Sequence, residues 1–483
     1  MRIALIVIAL VIGALVAAFE LPRGVGIGDP YYLFLGNPGY DAQHYTIDLC
    51  IDVPANTIAG TLTMNALATN DLTTIGFDYN GPAVNAVTVN SNAASFSRDS
   101  GKLIVTPPAP LPRNRPFTVV VTYAGSPGRL PNPISDDAPG WIRFGDAIVA
   151  VGEPNGLSAW VPVNEHPADK ATYSFHIAVA QPYRVIANGV LASVTHNGDH
   201  ATYDWEMRQP MATYLVALDI GDFVWQTSTS AGGIPIRNYF ASNVAQPAAA
   251  LFAKQGEMVD YFSDLFGAYP FDAYGAVVVP VALGFSMETQ GMTTFDMGVV
   301  ASAKPNDPSS GEGQIAHELA HQWFGDSVSL TTWRDIWLNE GFATYASWLW
   351  IEHSGGESVF QSIVQQTDDW LSGVTLRQQG QSVDAVRQRL LSFTRTGDPG
   401  ANRLFDWDGV YLRGALTLHA LRLAVGDQTF FDILSAYHQK FKYGNATTAD
   451  FIAVAEQVSG KSLRDFFQSW LYDPIIPELP QGR

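Results

Sequence analysis

His317-Glu318-Leu319-Ala320-His321-Gln322-Trp323-Phe324-Gly325-Asp326, followed by Trp337-Leu338-Asn339-Glu340-Gly341-Phe342-Ala343-Thr344-Tyr345, carries most of the meaning of this chain. Two histidines four residues apart share one helix face, so both imidazoles reach one metal ion and the intervening Glu318 is placed as a base. A hydrolytic zinc site needs three protein ligands and an open position, and the third ligand must approach from a separate element. Eighteen residues lie between His321 and Glu340. That leaves room for the first helix to end, for a turn through Gly325 and Thr331-Thr332, and for a second helix to return with Glu340 as the carboxylate ligand. The spacing predicts one Zn2+ per chain on His317, His321 and Glu340, with Glu318 catalytic. Asp326, directly after the motif helix, and Thr344, one turn after Glu340, are expected to support the ligands from behind.

Outward from this stretch the texture is helical. Ser309 and Ser310 are N-cap candidates for the motif helix. Helical spacing recurs over residues 248–266, 340–353, 409–425, 429–441 and 448–458, with a strand over 275–281. No element is predicted over 370–408. Trp323, Trp333, Trp337, Trp348 and Trp350 read as core around the site, and His419 and His438 as structural. Upstream the period changes to two. Tyr45, Ile47, Leu49, Ile51 and Val53 alternate with His44, Thr46, Asp48, Cys50 and Asp52, which marks a strand with one buried face. Similar runs over 57–67, 103–106, 117–123, 173–180 and 213–218 predict an antiparallel, sandwich-like β domain. The organisation expected is a β domain over 41–228 and a mostly α catalytic domain over 229–483.

Residues 20–40, rich in Gly and Pro, read as a linker. Ahead of them Arg2 and the apolar run Ile3 to Phe19 predict a signal peptide, or a membrane anchor if uncleaved, over residues 1–19. The body is therefore expected to be exported, with membrane contact only through that segment. Cys50 is the single cysteine, so no internal disulfide can form. Hydrophobic residues make up 47% and charged residues 15%, which excludes a disordered chain. A net charge of −19 removes the basic surface a nucleic acid would need.

The two motif stretches, with Gly284-Phe285-Ser286-Met287-Glu288-Thr289-Gln290 and Tyr411-Leu412-Arg413-Gly414-Ala415, resemble the gluzincin aminopeptidases in order and spacing. This is the family of aminopeptidase N and leukotriene hydrolase. The resemblance runs from about Tyr40 to Pro474. It implies a multidomain α+β fold, a saddle-like β domain followed by a thermolysin-like catalytic domain, in a short form without the family's long C-terminal helical domain. It further implies that Tyr411 donates to the oxyanion and that Glu288 binds the α-ammonium of the substrate. Glu153, nine residues before Pro162, is the implied second amine anchor, and Ser286 and Met287 lie on the strand that pairs with substrate backbone. The implied substrates are peptides with a free N-terminus. Phe285, Ser286 and Thr289 depart from the family's Gly, Ala and Asn, and Arg413 from its usual Lys. Two rivals share parts of the pattern. A thermolysin-like endopeptidase needs no ammonium anchor, and a non-catalytic peptide-binding surface protein needs neither Glu318 nor Tyr411.

Overall fold

The computed structural model describes residues 26–130, 139–304 and 311–480. The segment read as a signal or anchor, the first residues of the expected linker, and the cap candidates Ser309 and Ser310 lie outside the described residues. In the first half the period-two pattern becomes a sheet of eight strands. Its central strand Tyr40–Asp52 buries Tyr45, Ile47, Leu49 and Ile51 and turns Asp48, Cys50 and Asp52 outward. Strand Thr57–Ala68 pairs with it antiparallel, and Ala171–Ala180 lies against its other edge in parallel register, Ile47 opposite Phe175. The sheet is therefore mixed, where alternation alone predicts an antiparallel one. Alternation reports which face is buried and is blind to strand direction. The expected strand over 213–218 is instead a 3-10 turn, Thr213–Leu215, followed by the strand Leu218–Gly221.

The second half opens with a four-stranded sheet in the order Phe223–Thr229, Pro235–Ala241, Tyr274–Val278, Thr293–Phe295. The boundary expected after residue 228 falls inside its first strand, which pairs along its length with the second. Two helices carry the motifs. Glu312–Ala320 bears the histidines, and Trp337–Gly355 bears Glu340 and is buried all round from Trp337 to Ile351. They run antiparallel, since Gly313 faces Ile351 while His317 and His321 face Glu340. A third helix, Arg413–Val425, crosses Trp337–Gly355 at a glycine pair: a Cβ on Gly341 would stand 2.9 Å from Gly414 Cα. Only two glycines permit that approach, which brings the turn ahead of this helix, with Tyr411, over the site. The 370–408 segment, where no element was predicted, holds the short helices Val374–Gln378 and Val383–Leu391.

From Gly26 onward the Gly- and Pro-rich stretch is not a free linker. The buried Asp29 carboxylate accepts from Trp333 N at 2.8 Å, lies 3.1 Å from His166 Nε2, and accepts from Tyr31 N and Tyr32 N. Further on, the Gly36 carbonyl accepts from Lys102 Nζ at 2.9 Å. Gly and Pro made the stretch read as a spacer, but its few polar side chains tie it to both halves of the molecule.

Candidate active site

The motif helix ends one turn after His317, and its two imidazoles converge. Their Nε2 atoms lie 3.2 Å apart, and Glu340 Oε2 is 3.4 Å from one and 3.5 Å from the other. Three lone-pair donors drawn to one point need a shared cation, and two nitrogens with one carboxylate oxygen is a donor set that suits zinc. The residues fit the metal. The outer nitrogen of His321, Nδ1, lies 3.1 Å from the Phe324 carbonyl; with that nitrogen protonated, Nε2 is left free for a metal. Asp326, expected to support the ligands, does not hold this ring. Both its oxygens are buried without a hydrogen-bond partner among the described residues. Thr344 lines the cavity, yet its hydroxyl has no partner either and does not orient Glu340.

Electrostatics mark the same point. Burial raises the Glu340 carboxyl, but His321 and His317 beside it overcome burial and hold it at about 2. Burial lowers His321, and Glu340, Glu288 and Glu318 outweigh it, so the imidazole is pushed well above its ordinary value. The cluster therefore favours positive charge at this point. Burial drives Glu318 up to about 8, with His321 opposing and Glu288 and Glu340 adding to the rise.

Around the triad stand two further buried carboxylates. Glu288 and Glu153 each keep one oxygen, Oε1, without a partner, and the two residues group with Glu340 within 4.8 Å. Glu153 comes from the β domain and Glu288 from the segment after Tyr274–Val278. Burial raises both carboxyls, and for Glu153 the neighbouring Glu288 and Glu340 raise it further. The Glu288 segment is clamped by the residue after the second histidine: Gln322 Nε2 donates to the Glu288 carbonyl at 3.1 Å, and Gln322 Oε1 accepts from Gly291 N at 2.7 Å. Met287 exchanges backbone hydrogen bonds with Thr294, and Ser286 Oγ accepts from Gln314 Nε2 at 2.9 Å. Thr289 turns inward, 3.3 Å from Thr294 Oγ1. Gln322 and Gln314 escaped the sequence reading, although Gln314, three residues before His317, shares its helix face.

Tyr411 stacks on His317 with ring centroids 6.0 Å apart and planes 13° from parallel. Burial, with Glu340 and Glu153 adding to it, keeps its phenol protonated, as a donor must be. Arg413 plays no part in the site. It donates to the carbonyls of Trp470 at 2.7 Å, Ser469 and Asp473, fixing the last segment of the chain. The triad, Glu318, Glu288, Glu153 and Tyr411 open on a cavity of about 670 Å³. Trp348, read from sequence as core alone, lines it.

A β-rich half followed by a helical half that carries His-Glu-x-x-His and a helix-borne glutamate defines a zinc metallopeptidase of the gluzincin type. Family profiles agree: the "Peptidase M1 N-terminal domain" matches residues 41–215 and the "Peptidase family M1 domain" residues 251–470. The chain belongs to the M1 family of peptidases. Aminopeptidase N of Streptomyces lividans is 28% identical over 82% of this chain, and glutamyl aminopeptidase of Sus scrofa 27% identical over 68%. The chain spans only 45% and 34% of the lengths of those two relatives. An M1 zinc metallopeptidase from Deinococcus radiodurans superposes with a TM-score of 0.83 at 29% identity, covering 95% of this chain and 99% of that one. A mutant of that protein has been solved with Tyr-Ser-Ala substrate bound.

Proposed function

We propose that this protein is a zinc-dependent aminopeptidase that removes the N-terminal residue from peptides. One observation carries the reading: Glu153 and Glu288, buried beside the triad, each present a carboxylate oxygen with no partner to the same cavity. Buried carboxylates are normally satisfied, so a pair left open awaits a cation, and a peptide's free α-ammonium is that cation. His317, His321 and Glu340 would hold the zinc, which when bound supplies Lewis-acid polarisation of the scissile carbonyl and acidification of water. Glu153 and Glu288 hold the ammonium and so set the first peptide bond at the triad. Glu318 takes a proton from the attacking water on its carboxylate and passes it to the departing nitrogen. The Tyr411 hydroxyl donates to the carbonyl oxygen as that oxygen gains charge. Ser286 and Met287 lie on the segment that lines the substrate's path.

A comparison of one peptide with free and with acetylated N-terminus tests this. The free peptide should be cleaved at least about tenfold faster, because a charge-assisted hydrogen bond to a buried group is worth about 1.5–3 kcal/mol. A zinc chelator should abolish both rates. Equal rates would make the protein an endopeptidase of thermolysin type. We also propose that residues 1–19 direct export of the chain; secretion of a reporter fused to this segment checks it, and a reporter retained in the cytoplasm would refute it.

A further inference from the structure

We propose that the apolar arm of the cavity receives the side chain of the second residue of the substrate, so that the enzyme selects peptides with a large apolar residue on the leaving side of the cleaved bond. This rests on the aminopeptidase reading of Glu153 and Glu288, which fixes the direction in which the peptide lies.

The cavity has two unlike ends. At one of them Glu153 and Glu288 cluster with Glu340, and Glu288 also with His321 and Glu318. Along the motif helix the next turn back carries Glu318 and His317, and the turn beyond carries Gln314 and Gly313. From His321 to Gly313 is about 12 Å at 1.5 Å per residue. The helix Trp337–Gly355 runs the opposite way and lays Trp348 and Ile351 alongside that far end, Ile351 Cδ1 standing 3.5 Å from a Cβ placed on Gly313. Trp407, 59% exposed, also borders it. An extended peptide advances about 3.3 Å per residue. With its ammonium at Glu153 and Glu288 and its first carbonyl at the triad, its second side chain reaches the turn of Gln314 and Gly313.

The chemistry of this arm selects by size and polarity. Burial of apolar side-chain surface against Trp348 and Ile351 favours bulky apolar residues. Gln314 already donates one amide N–H to Ser286 Oγ at 2.9 Å. Among the described residues no Lys or Arg lines the cavity, while four carboxylates do, so an acidic side chain enters without a partner. Gly313 keeps the arm open. A Cβ there would meet only Ile351 Cδ1, at 3.5 Å, so the helix accepts a larger residue but the arm loses room.

The test is calorimetric binding of Ala-Phe-Ala, Ala-Leu-Ala, Ala-Gly-Ala and Ala-Asp-Ala to the zinc-loaded Glu318→Gln protein, with wild-type kcat/KM measured beside it. The Phe and Leu peptides should bind at least about tenfold tighter than the Gly peptide, the Asp peptide weakest, and kcat/KM should follow the same order. Gly313→Val should erase the advantage of Phe over Gly and leave Ala-Gly-Ala within about twofold of its original affinity. Ile351→Ala, which only widens the arm, should raise the affinity of Ala-Trp-Ala relative to Ala-Leu-Ala. Equal affinities across the four peptides, no binding of the Phe peptide, or an unchanged preference in both variants would overturn the proposal. Equal cleavage of free and N-acetylated Ala-Phe-Ala would instead overturn the ammonium reading, and the binding order would still decide this one.

Discussion

Asp78 in the β domain and the pair Glu153 and Glu288 at the catalytic cavity are acids held in opposite ways. In the β domain Asp78 accepts from Lys102 Nζ at 2.6 Å, from Asn37 Nδ2 at 2.9 Å, and from the backbone of Gly36 and Glu165. At the catalytic cavity Glu288 is as deeply buried and Glu153 less so, yet each keeps a buried oxygen with no partner. Asp78 is saturated from within the chain, but saturation does not divide the two halves: among the described residues Glu165 and Asp219 of the β domain, and Asp326, also keep buried oxygens without a partner. Glu153 and Glu288 differ from those three in lining the cavity, where a ligand can offset the cost of their burial.

The comparison can be broken by neutralising groups on either side of it. The largest effect expected is on catalysis: Glu318→Gln should lower kcat by about a thousandfold, within the range seen for positioned bases, while zinc content by atomic absorption stays at one per chain. Next is Lys102→Met, which strands Asp78 in the interior and should cost about 3–5 kcal/mol of stability, read as the urea midpoint, with kcat/KM of the folded fraction unchanged. Glu288→Gln should show the reverse pattern. Cleavage of free-amine peptides should fall about ten- to a hundredfold, while stability holds or rises by up to about 1 kcal/mol, because burial already disfavours the charge that is removed. If Glu288→Gln destabilises as much as Lys102→Met, the two regions do not differ in kind.

The smallest effect concerns two buried histidines away from the metal. Burial, with Arg422 nearby, lowers His419 to about 4, and burial, with Lys442 nearby, lowers His438 to about 4. Both are neutral in the folded state, whereas unfolded histidines titrate near 6.5. Between about pH 6.5 and 4 the unfolded chain therefore binds more protons, and stability present above that window is lost as pH falls through it. Thermal scans should show Tm dropping by several degrees across the window, with a shallower slope in His419→Gln.

The site was legible wherever its spacing is local. His317, Glu318 and His321 follow from helix geometry, and Glu340 from the room between two helices, because a helix fixes which side chains share a face whatever lies around it. Tyr411, Glu288 and Glu153 came only by resemblance, since nothing nearby in sequence shows which carboxylates the fold gathers. Expectations built on nearness along the chain failed. Asp326 and Thr344 sit next to ligands without bonding them, while the Phe324 carbonyl holds His321 and Gln322 holds the Glu288 segment. The linker reading failed similarly, because the composition of residues 26–39 does not reveal that Asp29 finds Trp333 and His166.

What the sequence determined by itself is periodic: a β-rich first half, a helical second half, and a metal triad on two helices. Tertiary structure decided what periodicity cannot encode. It set the parallel pairing at the centre of the large sheet and the glycine contact that carries Tyr411 over the site. It also brought together, from both halves of the chain, two acids that no chain neighbour could satisfy, because only packing at long range determines which buried groups end without a partner.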